Sequence, residues 1–119
     1  MIANYYNSNV EPVVLDIETE LLGTATITYS GANATIRVGG SYKTFTAAFS
    51  GENVTVNKWL ISDENGDISN DTENYTIEYS DTQMKLKVSP NYYLIKKVLI
   101  IQVIGTDGST AEKKVEVIG

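Results

Sequence analysis

The sequence predicts an all-β fold, an antiparallel β-sandwich of seven to eight strands. Three observations carry that prediction. From Thr24 onward the chain runs in short segments of period two, rich in Thr, Val, Ile and Tyr. Clusters of Gly, Asn, Asp and Ser separate these segments at the intervals typical of two packed sheets. Thirteen threonines among 119 residues favour strands, because a branched Cβ sits better on a pleated surface than in a helical turn. A closed barrel is the lesser alternative.

The elements follow in order. TATITY places Ala25, Ile27 and Tyr29 on one face and Thr24, Thr26 and Thr28 on the other. After a turn at residues 30–33, ATIRVGG sets Ile36 and Val38 around Arg37. Gly39-Gly40 then allows a bend where an edge strand would cross between sheets. YKTFTAAFS aligns Phe45, Ala47 and Phe49, alternating large and small on its core side. VTVNKWLIS places Trp59 and Ile61 on one parity with Thr55 and Asn57, and the apolar area of Trp59 makes it the expected core anchor. In NYTIEYS, Tyr75, Ile77 and Tyr79 share a face; across a turn at 80–83, MKLKVS points Met84, Leu86 and Val88 inward. Glu78, Lys85 and Lys87 then share the solvent side, where opposite charges attract across strands. KKVLIIQVIG is apolar on both parities, which predicts a central strand covered on both faces. Thr106-Asp107-Gly108-Ser109 is the last hairpin turn, leading into TAEKKVEVI, where Ala111, Val115 and Val117 alternate with charged residues.

Residues 1–23 differ from the rest and read as a linker or the remnant of a preceding module. Asn9, Pro12, the spacing of Val14, Ile17 and Leu21, and Gly23 suit a short helix over 11–22. VVLDIE suits a strand equally well, and twelve residues do not decide the period. The segment lacks the basic start, apolar block and cleavage site of a signal peptide.

Composition removes several functions. There is no histidine and no cysteine, so Ser-His-Asp, Cys-His and His-ligated metal chemistries lack their central group, and no disulfide can form. A net charge of −6 with only nine Lys and Arg argues against nucleic acid as a partner. Membrane insertion is not expected, because no apolar run approaches the roughly 20 residues that span a bilayer.

Three stretches carry a family resemblance: IRVGGSYKTFTAAF, the lone tryptophan of NKWLIS, and the run from Met84 to Val117. Together, over residues 24–118, they resemble bacterial immunoglobulin-like domains of the kind appended to bacteriophage virion (neck or tail) proteins and to bacterial surface proteins. The resemblance implies an immunoglobulin-like sandwich over residues 24–119, with Trp59 between the sheets and residues 91–95 crossing between them. It further implies that Tyr93 acts as a tyrosine corner, its hydroxyl returning to backbone. Such domains often carry glycine where this chain has Lys96, a departure that bears on the shape of the bend.

Candidate binding residues are few. Asp63, Asn65, Asp67 and Asp71 alternate as the oxygen ligands of a calcium ion would, yet an EF-hand loop requires Gly where Ile68 stands and Glu where Asn74 stands. The plainer reading is a solvated inter-strand loop. Tyr42 and Tyr92, with Tyr5 and Tyr6, are the tyrosines left for stacking on sugar rings; as common strand residues they also have an ordinary structural explanation. Sequons at Asn33, Asn53, Asn70 and Asn74 are expected by chance from ten asparagines mixed with thirteen threonines. No carboxylate pair is marked for catalysis, so no enzyme is expected.

The expected function is therefore a non-catalytic accessory module of a phage structural protein, displayed on the virion surface, that braces the assembly or adheres weakly to host-surface polysaccharide. The alternatives are a stalk or spacer repeat of a bacterial surface adhesin at the cell surface, and a calcium-dependent carbohydrate-binding module. The partner in either setting is a larger protein that carries the domain, and no cofactor other than calcium is expected.

Overall fold

The computed structural model describes residues 23–119 except Ala32. The helix considered for 11–22, the alternative strand, and Tyr5 and Tyr6 lie outside the described residues. Nine strands follow in chain order: β1 (Ala25–Tyr29), β2 (Thr35–Arg37), β3 (Lys43–Phe49), β4 (Val56–Asp63), β5 (Gly66–Asp67), β6 (Tyr75–Ser80), β7 (Gln83–Val88), β8 (Val98–Gly105) and β9 (Thr110–Ile118). One sheet has the order β1-β3-β7-β6 and the other β2-β9-β8-β4-β5. That order is an immunoglobulin-like sandwich, with the two-residue β5 raising the strand count to nine.

One pairing departs from a purely antiparallel arrangement. β2 runs parallel to β9, with Thr35 opposite Glu116 and Arg37 opposite Ile118. The cause is a change of sheet at the leading edge: β1 pairs with β3, and a turn holding Asn33 (φ 56°) and Ala34 (φ 54°) carries the chain across to β9. The return occurs at the predicted glycines. Val38 N–H donates to Ile118 of one sheet at 2.9 Å, and the next amide, Gly39 at φ +70°, donates to Val88 of the other at 2.9 Å. A left-handed residue directly between the sheets favours glycine.

The predicted inward faces form the core except at the end of β6, where Tyr79 is 56% exposed; Phe45, Met84, Leu86, Leu99, Ile101, Val103 and Val117 are wholly buried. The centre is occupied by Phe45, stacked on Tyr29 at 4.7 Å between ring centroids, rather than by Trp59. Trp59 is only half-buried and closes a shallow groove between β4 and the β6–β7 turn, beside Tyr79 and Asp81. A bulge between Val56 and Lys58 takes up one residue, so Val56 and Trp59 share the inner side despite their odd spacing.

β8 also differs from its expected two-sided burial. Leu99, Ile101 and Val103 face the core, whereas Val98 is 43% exposed, and Ile100 and Ile104 are half-buried on the outer face. On the outer face Lys114 lies directly opposite Ile100, and its aliphatic stem suits partial cover there.

At the β8–β9 turn, Asp107 accepts from the Ser109 hydroxyl at 2.6 Å and from its N–H at 2.9 Å. These bonds hold the Asp107 carboxyl below its ordinary value of 3.8. Their stabilisation is present above that value and is lost as pH falls through the depressed native one. Asp107→Asn is thus expected to lose less melting temperature between pH 5 and pH 3 than the unaltered chain; an identical fall in calorimetry would contradict this.

Candidate functional site

The most developed polar site lies at one end of the sandwich, where the β4–β5 turn, the 68–74 loop and the 89–97 crossing meet. Each segment is locally anchored. Ile68 is 5% exposed and donates its N–H to Ile61 at 3.0 Å, so a loop that reads as wholly polar is nailed to the core at its middle. The crossing includes a 3₁₀ turn, Tyr92–Leu94, with Leu94 buried and Tyr92 and Tyr93 79% and 68% exposed.

A side-chain network fixes the turn. The Tyr93 hydroxyl donates to Asn74 Oδ1 at 2.7 Å, and Asn91 Nδ2 donates to the same oxygen and to Ser89 Oγ, each at 2.9 Å. Asn74 Nδ2 in turn donates to Asp71 Oδ2 at 2.9 Å. Tyr93 is therefore a corner of a different kind from the one the resemblance implies: its hydroxyl reaches a side chain, and its ring faces solvent. Lys97 bonds Glu64 at 3.0 Å and lies 3.7 Å from Asp63, bracing the β4–β5 turn against the crossing. Its own backbone N–H and Lys97 keep the Glu64 carboxyl below its usual range, and the Glu64 contact raises the Lys97 ammonium above its own.

Tyr75 opens β6 beneath this network. It is 3% exposed, and its buried hydroxyl has no hydrogen-bond partner among the described residues. Burial first, then the nearby charges of Asp63, Asp71 and Glu64, push its pKa up to about 12. With Asp63, Asp67, Asp71, Asn74 and Tyr93 it lines a cleft of about 360 Å³.

On the other side of Tyr93 and Lys97 lies a second groove of about 540 Å³, reaching onto the outer face of β8 and lined further by Ile95, Lys96, Val98, Ile100 and Lys114. Lys96 has φ +79° and donates its N–H to Val117 at 2.8 Å. The bend thus keeps a conformation suited to glycine while carrying a lysine, at a strain of about 1–2 kcal/mol.

The sequence-derived candidates separate on this frame. Asp63, Asn65, Asp67 and Asp71 all border the acidic cleft. Asp63 accepts from the Asn65 N–H and Asp67 from the Ser69 N–H, both at 2.8 Å, so these carboxylates close their own turns. Among the described residues no group of three or more Asp, Glu, His or Cys is placed to hold a metal ion. Tyr92 is displayed at the site, whereas Tyr42 lies immediately before β3, away from it. There its hydroxyl donates to Glu78 at 3.1 Å, and Lys87 covers its ring at 5.5 Å. Of the sequons, Asn33 and Asn53 adopt positive φ, and Asn74 is the hub of the Tyr93 network.

Sequence reasoning missed Asn74, Asn91, Lys96, Lys97 and Lys114 and gave Tyr93 and Tyr75 other roles. The available signal was the run Asn91-Tyr92-Tyr93 followed by Lys96-Lys97, which concentrates aromatic, amide and cationic groups in one crossing. Compared with known proteins, the chain matches no family model and no curated relative. Among the described residues no helix is long and apolar enough to cross a membrane.

Proposed function

We propose that this chain is a non-catalytic immunoglobulin-like accessory module, carried by a larger phage structural protein at the virion surface, that adheres to host-surface polysaccharide through the Tyr92–Tyr93 turn. The observation that carries this reading is Tyr93, a largely exposed ring whose hydroxyl is tethered by Asn74 and Asn91. A sugar ring packs its C–H face on an aromatic surface while its hydroxyls bond nearby amides and charges. Tethering the aromatic in advance lowers the ordering cost of that contact. The phage setting is supported by the resemblance over residues 24–118, and contacts on loops at one end of a rigid sandwich suit a module displayed by a larger protein.

A glycan array probed with the chain is the test. Binding to at least one polysaccharide is expected, weakened about three- to tenfold by Tyr93→Ala, in line with an aromatic contact of about 0.5–1.5 kcal/mol. Tyr42→Ala is expected to leave it unchanged. Absence of binding to any surface glycan would instead favour a bracing role within the particle.

A further inference from the structure

We infer that the groove between Tyr93 and Lys114 selects an anionic glycan, one whose repeating sugar or polyol unit carries a carboxylate or phosphate; this rests on the polysaccharide-binding reading above. The first support is charge distribution. The chain carries nine basic and fifteen acidic residues, yet Lys96, Lys97 and Lys114 line this groove and, among the described residues, Glu64 is its only acid. Lys97 is already engaged by Glu64 and Asp63, and Lys114 faces Glu112 only at 3.9 Å. Lys96 has no ion-pair partner among the described residues. The groove thus presents cationic groups still able to receive an anion, beside an acidic cleft that would repel one.

The second support is backbone strain. Among the described non-glycine residues at positive φ, Asn33, Asn53 and Asp81 belong to types that tolerate the left-handed region; Ala34 and Lys96 do not, and of these two it is Lys96 that lines the groove. A glycine would keep the Lys96 N–H bond to Val117 and remove the strain. Strain retained at a cleft is accounted for when the side chain itself is used there. The third support is the floor: Val98 and Ile100 offer apolar surface on the outer face of β8, suited to the C–H face of a pyranose between Tyr93 and the two ammonium groups.

The test titrates the chain with polygalacturonate, poly(glycerol phosphate), neutral dextran and single-stranded DNA, following both affinity and melting temperature. Tighter binding of one or both anionic glycans than of dextran is expected, weakening as salt rises; the two anionic arms separate carboxylate from phosphate as the recognised group. Lys96→Gly is expected to raise the melting temperature by about 4 °C while lowering that affinity about tenfold. Lys96→Arg should retain the affinity. A purely structural lysine would not produce this opposite movement. Unchanged affinity in both Lys96→Gly and Lys114→Ala, or equal binding of single-stranded DNA, would overturn the inference. Binding of dextran as tight as that of the acidic polymers would overturn it while leaving polysaccharide adhesion intact. Binding of none of the glycans, here and on the array, would remove the adhesion reading itself.

Discussion

Phe45→Ala is expected to destabilise the fold by about 3–5 kcal/mol, the range for deleting a fully buried aromatic side chain. Phe45 lies opposite Tyr29 on β1 and Met84 on β7, so its loss opens a cavity beside both of its neighbouring strands. The stacked Tyr29 ring loses its partner at the same time. No disulfide limits the damage, since the chain has no cysteine. For a domain of this size the melting temperature should fall on the order of 15 °C. Trp59→Phe, at a half-buried site, is expected to cost less. Thermal unfolding of the two variants checks the ranking; a larger loss from Trp59→Phe would place the centre of the core near β4 instead.

Tyr75→Phe is expected to act in the opposite direction and stabilise the protein by about 1–3 kcal/mol. The Tyr75 hydroxyl is removed from solvent without a partner among the described residues, and a buried unsatisfied donor costs about that much. Phenylalanine keeps the ring that packs against the core and deletes only the orphaned atom. The alkaline limb provides a second signature. The native Tyr75 pKa is raised from 10.0 to about 12, so the unfolded chain ionises first and stability falls between those pH values. Tyr29, raised to about 12 by burial, contributes in the same window. The variant should therefore lose less stability than the unaltered chain between pH 10 and pH 12. Chemical denaturation at pH 7 and pH 11 measures both effects, and a decrease in stability at pH 7 would mean that the hydroxyl is satisfied in solution.

The strand faces were legible because a half-buried strand must alternate. Phe45 and Ala47 on β3, Met84, Leu86 and Val88 on β7, and Val115 and Val117 on β9 sit inward where their parity places them. The exceptions have local causes. The bulge before Lys58 breaks the parity of β4, and a one-residue insertion leaves no mark in composition. The apolar outer residues of β8 imitate a doubly covered strand, yet Val98 and Ile100 instead border an open groove. Ile68 is hidden among acids and asparagines because a single anchoring contact has no period to detect.

The candidate site was less legible than the fold, since its partners are far apart in the chain. Tyr93 and Asn74 are nineteen residues apart, and Lys97 and Glu64 thirty-three. The acidic pattern over residues 63–71 suggested ligands through its spacing, but Asp63 and Asp67 use their oxygens for neighbouring amides two residues on. A turn-forming Asp and a metal-ligating Asp look alike until the backbone is placed. Lys96 showed the complementary limit: its departure from the glycine expected by resemblance was visible, whereas the groove into which that departure fits was not.

We propose that recognition resides at the Tyr93 turn and the groove beside it. Amide chemical-shift mapping with a galacturonate oligosaccharide and, in parallel, a glycerol phosphate oligomer tests it most directly, because every affected residue reports its own position. The largest perturbations are expected at Asn74, Tyr93, Lys96, Lys97 and Lys114, with the Trp59–Tyr79 groove and the Tyr42–Glu78 contact unaffected. Perturbations centred on Trp59 or Tyr42, or none with either ligand at millimolar concentration, would contradict it.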